Sequence, residues 1–486
     1  MALAESRPRA RTRRTRRVPG LESIRRLGLL CAGLAAGCAH YQAAPLDPAA
    51  SAAEFAARRI SDVKLSPDLA NLMPEAERAW PPTTWDRAQL LAVAWTRNPA
   101  LEVARAQVRA ASAHEITAAE RPNPDLTLQS EYARNDAYPW LYGIEAGWLL
   151  RSSKQRRLER GIAGIETANR QLELMDQAWA VRSALAASLC EWESARRRLD
   201  LTVRLAAAQD QLVTLEKQRV GAGEDAPVEL LATEQARIQI EQQSAALRQA
   251  VASAQADTAK ALGLPPEALD GVALAWPEWG DPPPVSGDAE RRAREQALLS
   301  RADLGVAIGE YSAADSKLKL EIQRQYPQLE LGPGFYWDHG IAKFPFDVGF
   351  TVPMNGNKGE IAEARAGREL AGRRMLALQA DIYGQIAAAE RAESIARSSA
   401  EAAVRQVETA NQQRDRASLG LRLGAIGSDE QLAVEIVALH AELELTDIRA
   451  RLQSSRNALE DALRAPLSGP ELALAKPLPQ LAVSAP

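Results

Sequence analysis

Residues able to do chemistry are few in this chain. Cysteines stand only at Cys31, Cys38 and Cys190, and histidines only at His40, His114, His339 and His440. No two histidines lie three or four residues apart, and no His-Glu-x-x-His or closely spaced cysteine pair occurs, so no metal site is legible. His339 follows Asp338 in a predicted hairpin turn, where solvated loop chemistry is the simpler reading. Gly332-Pro333-Gly334 sits inside a strand-like stretch rather than between strand and helix, which excludes a phosphate loop. No nucleophile elbow, Walker motif or pair of catalytic carboxylates stands out. The pattern reads as a non-enzyme that needs no cofactor.

The chemistry that remains is processing at the N-terminus. Residues 1–37 hold nine Arg and two Glu, a charge of +7 that leaves −11 for the rest of a chain of net charge −4. Arg7 to Arg26 form a basic region, long enough that a start later than Met1 stays open. Leu27–Ala36 (LGLLCAGLAA) follow as a short apolar core, too short to span a bilayer and suited to a signal peptide. Ala35-Ala36-Gly37-Cys38 then resembles a bacterial lipobox, with Ala35 where a leucine is usual, and makes Cys38 the lipidation candidate. An ordinary signal peptide cut nearby is the alternative, and it exports the protein equally. With Cys31 removed and Cys38 acylated, Cys190 is left alone as a small buried helix residue, without a disulfide framework.

These features must be carried by helices. The chain of 486 residues has only 5% aromatics and is rich in Ala, Leu, Glu, Arg and Gln, the composition of long, closely packed helices. It is also written twice. NPALEVARAQ around Leu101 answers RADLGVAIGE around Leu304, RPNPDLTL with Pro124 answers RQYPQLEL with Pro327, and Arg219-Val220-Gly221 answers Arg422-Leu423-Gly424, all at an offset of 203. Each copy reads as helix, strand hairpin, very long helix, Gly-containing turn and helix. Half-length helices of about 37 and 35 residues match one of about 68 in the first copy. Segments of about 36 (290–325), 64 (359–422) and 36 (428–463) repeat the scheme in the second. Two half-helices stacked end to end beside one long helix are expected, since long helices without a broad apolar face need partners along their length.

The two hairpins, about 125–150 and 328–352, break the helical pattern. Their strands have the length of a tilted transmembrane strand. Tyr132, Tyr138, Trp140, Tyr142 and Trp148 crowd the first, and Phe335, Tyr336, Trp337, Phe344, Phe346 and Phe350 the second. Rings at strand ends favour a membrane interface. Along each strand the alternation looks imperfect. Four strands cannot close a barrel, and open edges cannot face lipid, so membrane-spanning strands imply several copies sharing one barrel; three copies would supply twelve strands.

The sum of these features resembles the TolC family of outer-membrane efflux channels, over residues 85–466. The second copy carries the likeness best, from Gly332 to Glu369: two strands, the turn Val352-Pro353-Met354, Asn357-Lys358-Gly359 at the head of the long helix, and then Ala362, Ala364 and Ala366. The wording is nearest to the branch partnered with heavy-metal pumps of the resistance–nodulation–division class; drug efflux and type I secretion share the fold. The first copy departs, with Leu149-Leu150-Arg151 for the proline turn and Ser152-Ser153-Lys154 for the glycines, before an Arg-rich start at Arg156, Arg157 and Arg160.

The resemblance implies a mainly α chain with membrane β-hairpins. Its homotrimer would build a twelve-stranded barrel in outer-membrane lipid and a long helical periplasmic barrel. It further implies a signal peptide (1–37), a lipidated, palmitate-bearing arm (38–84), repeat 1 (85–263), a Pro-rich linker (264–289), repeat 2 (290–466) and a tail (467–486). The expected partners are a periplasmic adaptor (membrane fusion) protein and an inner-membrane pump, with no nucleic acid. Adaptor docking would fall on the tips Arg219, Val220, Gly221, Arg422, Leu423 and Gly424. An acidic ring at the closed entrance would involve Asp429, Glu430, Glu224 and Asp225, although acids favoured by the dipole of a helix N-terminus explain Asp429 and Glu430 as well. A non-conducting, lipid-anchored helical scaffold with soluble hairpins is the rival reading.

Overall fold

The computed structural model describes residues 41–65, 69, 80–224, 226–284 and 287–475. The signal segment 1–37, Cys31, Cys38, His40 and Asp225 lie outside the described residues. The chain divides into two units at Glu54 and Phe55. In the first, residues 41–54 are exposed throughout and open a helix, α1 (Pro48–Ala57).

The second unit holds both repeats. The first runs α2 (Arg87–Arg97), α3 (Pro99–Ala119), β1 (Asp125–Tyr132), β2 (Trp140–Leu150), α4 (Ser153–Ala222) and α5 (Pro227–Leu262). The second runs α6 (Gly287–Ser300), α7 (Ala302–Gln323), β3 (Gln328–Asp338), β4 (Ile341–Lys343), β5 (Phe346–Thr351), α8 (Lys358–Arg422) and α9 (Ser428–Leu463), before a last turn, α10 (Leu472–Ala475). The architecture is that expected from the sequence: long helices with a small antiparallel sheet. At about 1.5 Å per residue, α4 extends roughly 105 Å.

The two long helices open differently. In the first copy, Ser152 accepts from the Gln155 amide (3.1 Å) while Gln155 accepts from the Ser152 amide (3.3 Å). That capping box satisfies orphan amides at the helix start without the glycines of the second copy. In the second copy Gly356 (φ 62°) and Asn357 (φ 54°) turn the chain left-handed, and Asn357 Nδ2 donates to the Glu321 carbonyl at 2.9 Å.

Each repeat departs from the expected pattern at its first half-helix. The segments starting near Trp85 and Gly287 are not continuous but break at Asn98 and at Arg301, again 203 residues apart. Pro99 causes the first break, because it cannot donate to the preceding turn and pushes Asn98 into an extended conformation. No proline marks the second. There Arg301 is itself extended, and its guanidinium donates to the Ala462 carbonyl at 2.8 Å and to Asp303. Asn98 does the same work in the first repeat, donating from Nδ2 to the Ala261 carbonyl at 2.7 Å. Both carbonyls belong to the last turn of the returning half-helix. The end-to-end stacking expected from helix lengths is therefore present, with 21 and 36 residues (α3, α5) beside the 70 of α4, and 22 and 36 (α7, α9) beside the 65 of α8.

Helix α4 packs on α5 and α9 and, nearer the sheet, on α3 and α7; α8 packs on α9 and α7. The main apolar core gathers at the first junction: Leu90, Leu101, Leu189, Leu262 and Leu264 are almost fully buried. A smaller core at the second joins Leu304, Ile382, Ile386, Leu459 and Leu463. The Pro-rich linker belongs to the first core. Trp276 and Trp279 are buried, and Trp85 exchanges hydrogen bonds of 2.8 Å with Ala273 and Ala275. Cys190 is also buried, and burial pushes its thiol up to about 12, as an inert core residue requires.

Beyond α9 the chain turns back into this core. Leu474 is 1% exposed and packs within the first repeat's cluster. Glu471, 4% exposed, accepts from Arg182 Nε at 2.8 Å and lies 3.9 Å from Arg87, while Arg182 also binds Glu460. Burial alone would raise the Glu471 carboxyl, but Arg182 and then Arg87 outweigh it and hold it below its ordinary range. Such a carboxylate stabilises the fold above the ordinary glutamate range (about pH 4.3) and loses that contribution as pH falls through its lowered value. Glu471→Ala leaves two buried guanidinium groups short of a carboxylate and is expected to cost about 3–5 kcal/mol in denaturant unfolding. Glu471→Gln should flatten the acid-side loss of stability seen in the parent, measured by unfolding midpoints across pH.

Candidate functional site

The sheet is built from both repeats. β1 pairs with β2, β2 with β3, and β3 with both β4 and β5, all antiparallel. β4 and β5 share one register against β3, from Asp338↔Ile341 through Pro333↔Phe346 to Gln328↔Thr351. They are one strand interrupted at Phe344-Pro345, because Pro345 has no amide to donate; its carbonyl still accepts from Gly334 at 2.9 Å. Among the described residues no strand lies beside the two outer edges, β1 and β4/β5.

Register sorts the side chains more cleanly than the strands do singly. Leu126, Leu128, Tyr132, Trp140, Tyr142, Ile144, Ala146, Trp148 and Leu150 share one face of the first hairpin. Continuing across β3, that face takes Leu329, Leu331, Pro333, Phe335 and Trp337, then Ala342, Phe346, Val348 and Phe350. Ser130 is its polar exception. Its rings cluster towards the turns, where Tyr132 lies 4.9 Å from Trp140 and Tyr142 stacks on Trp337 at 6.5 Å.

The opposite face carries Asp125, Thr127, Gln129, Glu131, Glu145, Gln328, Glu330, Asp338, Asp347 and Thr351, with Lys343 its one lysine. Gly143, Gly147, Gly332, Gly334 and Gly349 lie on it too, while Leu141, Leu149 and Ile341 are apolar exceptions. The alternation is imperfect at these residues, as it reads along each strand, and apart from them the register of the cross-strand partners keeps the two faces separate. Leu128 (73% exposed), Phe346 (62%) and Phe350 (66%) leave the apolar face uncovered.

At the turns, His339 Nδ1 lies 2.5 Å from Asp338 and its Nε2 lies 4.0 Å from Asp136 of the other hairpin. Among the described residues no group of three His, Cys, Asp or Glu is placed to hold a metal ion. None of the described helices is long and apolar enough to cross a membrane.

At the far end of the long helices the two tips turn on glycine, but not on the aligned pair. Gly424 is left-handed (φ 69°), whereas Gly221 is still helical and Gly223 takes its role (φ 78°). The first tip thus closes two residues later than the offset of 203 implies. The Gly223 and Glu224 amides donate to Val220 and Arg219, and the Gly424 and Ala425 amides to Leu421 and Gly420, so each reversal caps its own helix. Leu423 is 74% exposed, and Arg422, Gly221, Glu224 and Glu430 are exposed as well.

Two residues assigned separately from sequence meet here. Arg219, a docking candidate, holds Asp429, an entrance candidate, at 2.8 Å, and so ties α4 to α9. The 210 residues between them left no local signal. Both are about one-third exposed, so the pair is a weak tie. A double-mutant cycle with Arg219→Ala and Asp429→Ala should give about 0.2–1 kcal/mol, shrinking as salt is raised.

No family model matches the chain, and no curated protein matches it. Solved structures do match. The outer membrane protein VceC of Vibrio cholerae superposes with a TM-score of 0.64 at 15% identity, over 79% of this chain and 97% of that one. The CmeC outer membrane channel of Campylobacter jejuni gives 0.65 at 12%, over 81% and 89%. CusC, studied for folding and transmembrane channel formation, gives 0.64 at 14%, over 88% and 99%. The fold is TolC-like. At such identities the likeness concerns the fold alone, and what the chain does has to be argued from the faces and tips just described.

Proposed function

We propose that this chain is the outer-membrane component of a tripartite efflux system, a passive duct through which an inner-membrane pump expels its substrate. One observation carries the reading: a sheet with one uncovered apolar face, one polar and glycine-bearing face, and two unpaired edges. In hydrocarbon each unpaired backbone group costs several kcal/mol, so such a sheet is stable there only when closed. The first and last strands run antiparallel to each other, so the β4/β5 edge of one copy can take β1 of the next. Three copies then complete a twelve-stranded barrel, apolar outside and polar within. The solved relatives named as outer-membrane proteins and channels support the same reading.

The remaining assignments follow from it. Acylation of Cys38 would anchor the chain to the outer membrane, leaving α4, α5, α8 and α9 to reach into the periplasm. The exposed tips around Arg219-Val220-Gly221 and Arg422-Leu423-Gly424 would receive the adaptor, and the Arg219–Asp429 tie would help to hold the entrance narrow. Asp125, Glu131, Glu145, Glu330, Asp338 and Asp347 outweigh Lys343 on the inner face, a balance that favours passage of cations and supports heavy-metal ions as cargo. No work is asked of the chain beyond this, since the pump supplies the energy.

Mass measurement of the particle extracted from outer membranes in mild detergent tests the reading. A trimer is expected; a monomer released without detergent would sink it. Ile144→Arg, at the middle of the apolar face, should block assembly at a cost of about 2–4 kcal/mol at the membrane midplane, whereas Thr127→Arg on the opposite face should assemble normally.

A further inference from the structure

The polar face of the sheet has one large ring, and it does not stand away from the sheet. Tyr336 lies across two glycines. A Cβ on Gly143 of β2 would sit 2.1 Å from Tyr336 Cδ1, and one on Gly334 would sit 3.3 Å from Cε2. The hydroxyl donates to Glu145 Oε2 at 2.8 Å, which ties the far end of the ring down to the neighbouring strand. Bare backbone beneath and a carboxylate at the end therefore hold an aromatic side chain flat. Any residue larger than glycine at 143 removes the space the ring occupies, since real Cβ atoms do not approach to 2.1 Å.

We propose that Gly143 and Glu145 keep Tyr336 folded against the wall near the outer mouth of the barrel, so that the ring constricts the bore only when it is displaced. This rests on the duct reading above, in which the polar face lines the passage. Lying flat, the ring narrows the passage by one aromatic thickness; standing up, it intrudes by its full length. With one such tyrosine on every copy, displacement acts at several points around one ring of the barrel. The tyrosine is a positioning-sensitive wall residue, neither a ligand site nor a gate that needs energy.

Single-channel conductance of the purified protein in planar bilayers tests this with four proteins: the parent, Gly143→Ala, Gly143→Ala/Tyr336→Ala and Tyr336→Ala. The parent should conduct, Gly143→Ala should conduct less, by roughly a quarter or more, and the double variant should regain the parental level. Tyr336→Ala alone should rise only slightly, because the ring already lies on the wall. If Gly143→Ala fails to assemble, Glu145→Ala decides the matter, because it frees the hydroxyl end of the ring. Conductance should then fall in Glu145→Ala and recover in Glu145→Ala/Tyr336→Ala, and the absence of any fall overturns the inference.

Unchanged conductance in Gly143→Ala overturns the inference. So does a fall that removal of the ring does not rescue, because the loss then comes from the backbone. A several-fold rise in Tyr336→Ala would show a ring already projecting, and would overturn it too. A silent but assembled parent is met by repeating the series with Arg219→Ala/Asp429→Ala added to release the entrance. Silence there too is a different failure, which removes the duct reading itself and this inference with it.

Discussion

Backbone hydrogen bonding at the two ends of the sheet is the constraint on which the rest of the structure depends. β1 and β4/β5 present unpaired amides and carbonyls on their outer sides, while the face between them is apolar and uncovered. An aqueous surface tolerates the edges but not so many exposed rings; hydrocarbon tolerates the rings but not the edges. A further copy of the same sheet answers both. Under the reading proposed above, in which further copies close the sheet, the internal repeat acquires a physical sense. Each repeat supplies one hairpin and one long helix, so a ring of copies continues from strands into helices without a change of symmetry.

The helices face a related problem in a milder form. A helix as long as α4 cannot be held by its own propensity, so half-helices have to dock along it and meet at a junction. A junction exposes the last carbonyls of one half-helix to the start of the next. The two repeats solve this with different side chains at equivalent places, Asn98 reaching Ala261 and Arg301 reaching Ala462. Around these points lie both apolar cores, the linker tryptophans and the buried group of Arg182, Glu460 and Glu471. The two junctions are thus heavily bonded, and at the tips the Arg219–Asp429 pair, about one-third exposed, ties α4 to α9.

Much of the fold was legible because it rests on local rules. The offset of 203 predicted the start of both hairpins after Pro124 and Pro327, and the glycines announced both tips. The break at Asn98 was legible too, since Pro99 follows it, but helical spacing of apolar residues across the break masked it. Arg301 gave no such sign; its extended backbone is held by a carbonyl 161 residues away. Gly221 misled for the opposite reason, because alignment by offset ignores the two extra helical residues that pass the turn to Gly223. Residues 467–475 read as tail, having no periodicity, yet Glu471 and Leu474 are buried by partners distant in sequence.

By itself, the sequence determined that the protein is two copies of one helical and hairpin unit, with no catalytic or metal motif legible in its residues. These follow from composition, periodicity and motif spacing, which act over a few turns of chain. Tertiary structure decided which side chains share each face of the sheet. Alternation within one strand cannot say which neighbour stands opposite, and only the pairing of β2 with β3, joining residues near 145 with residues near 334, aligned the apolar side chains into one surface. The same pairing laid Tyr336 over Gly143 and beside Glu145. Contacts between segments so far apart are set by packing geometry, which no local pattern encodes.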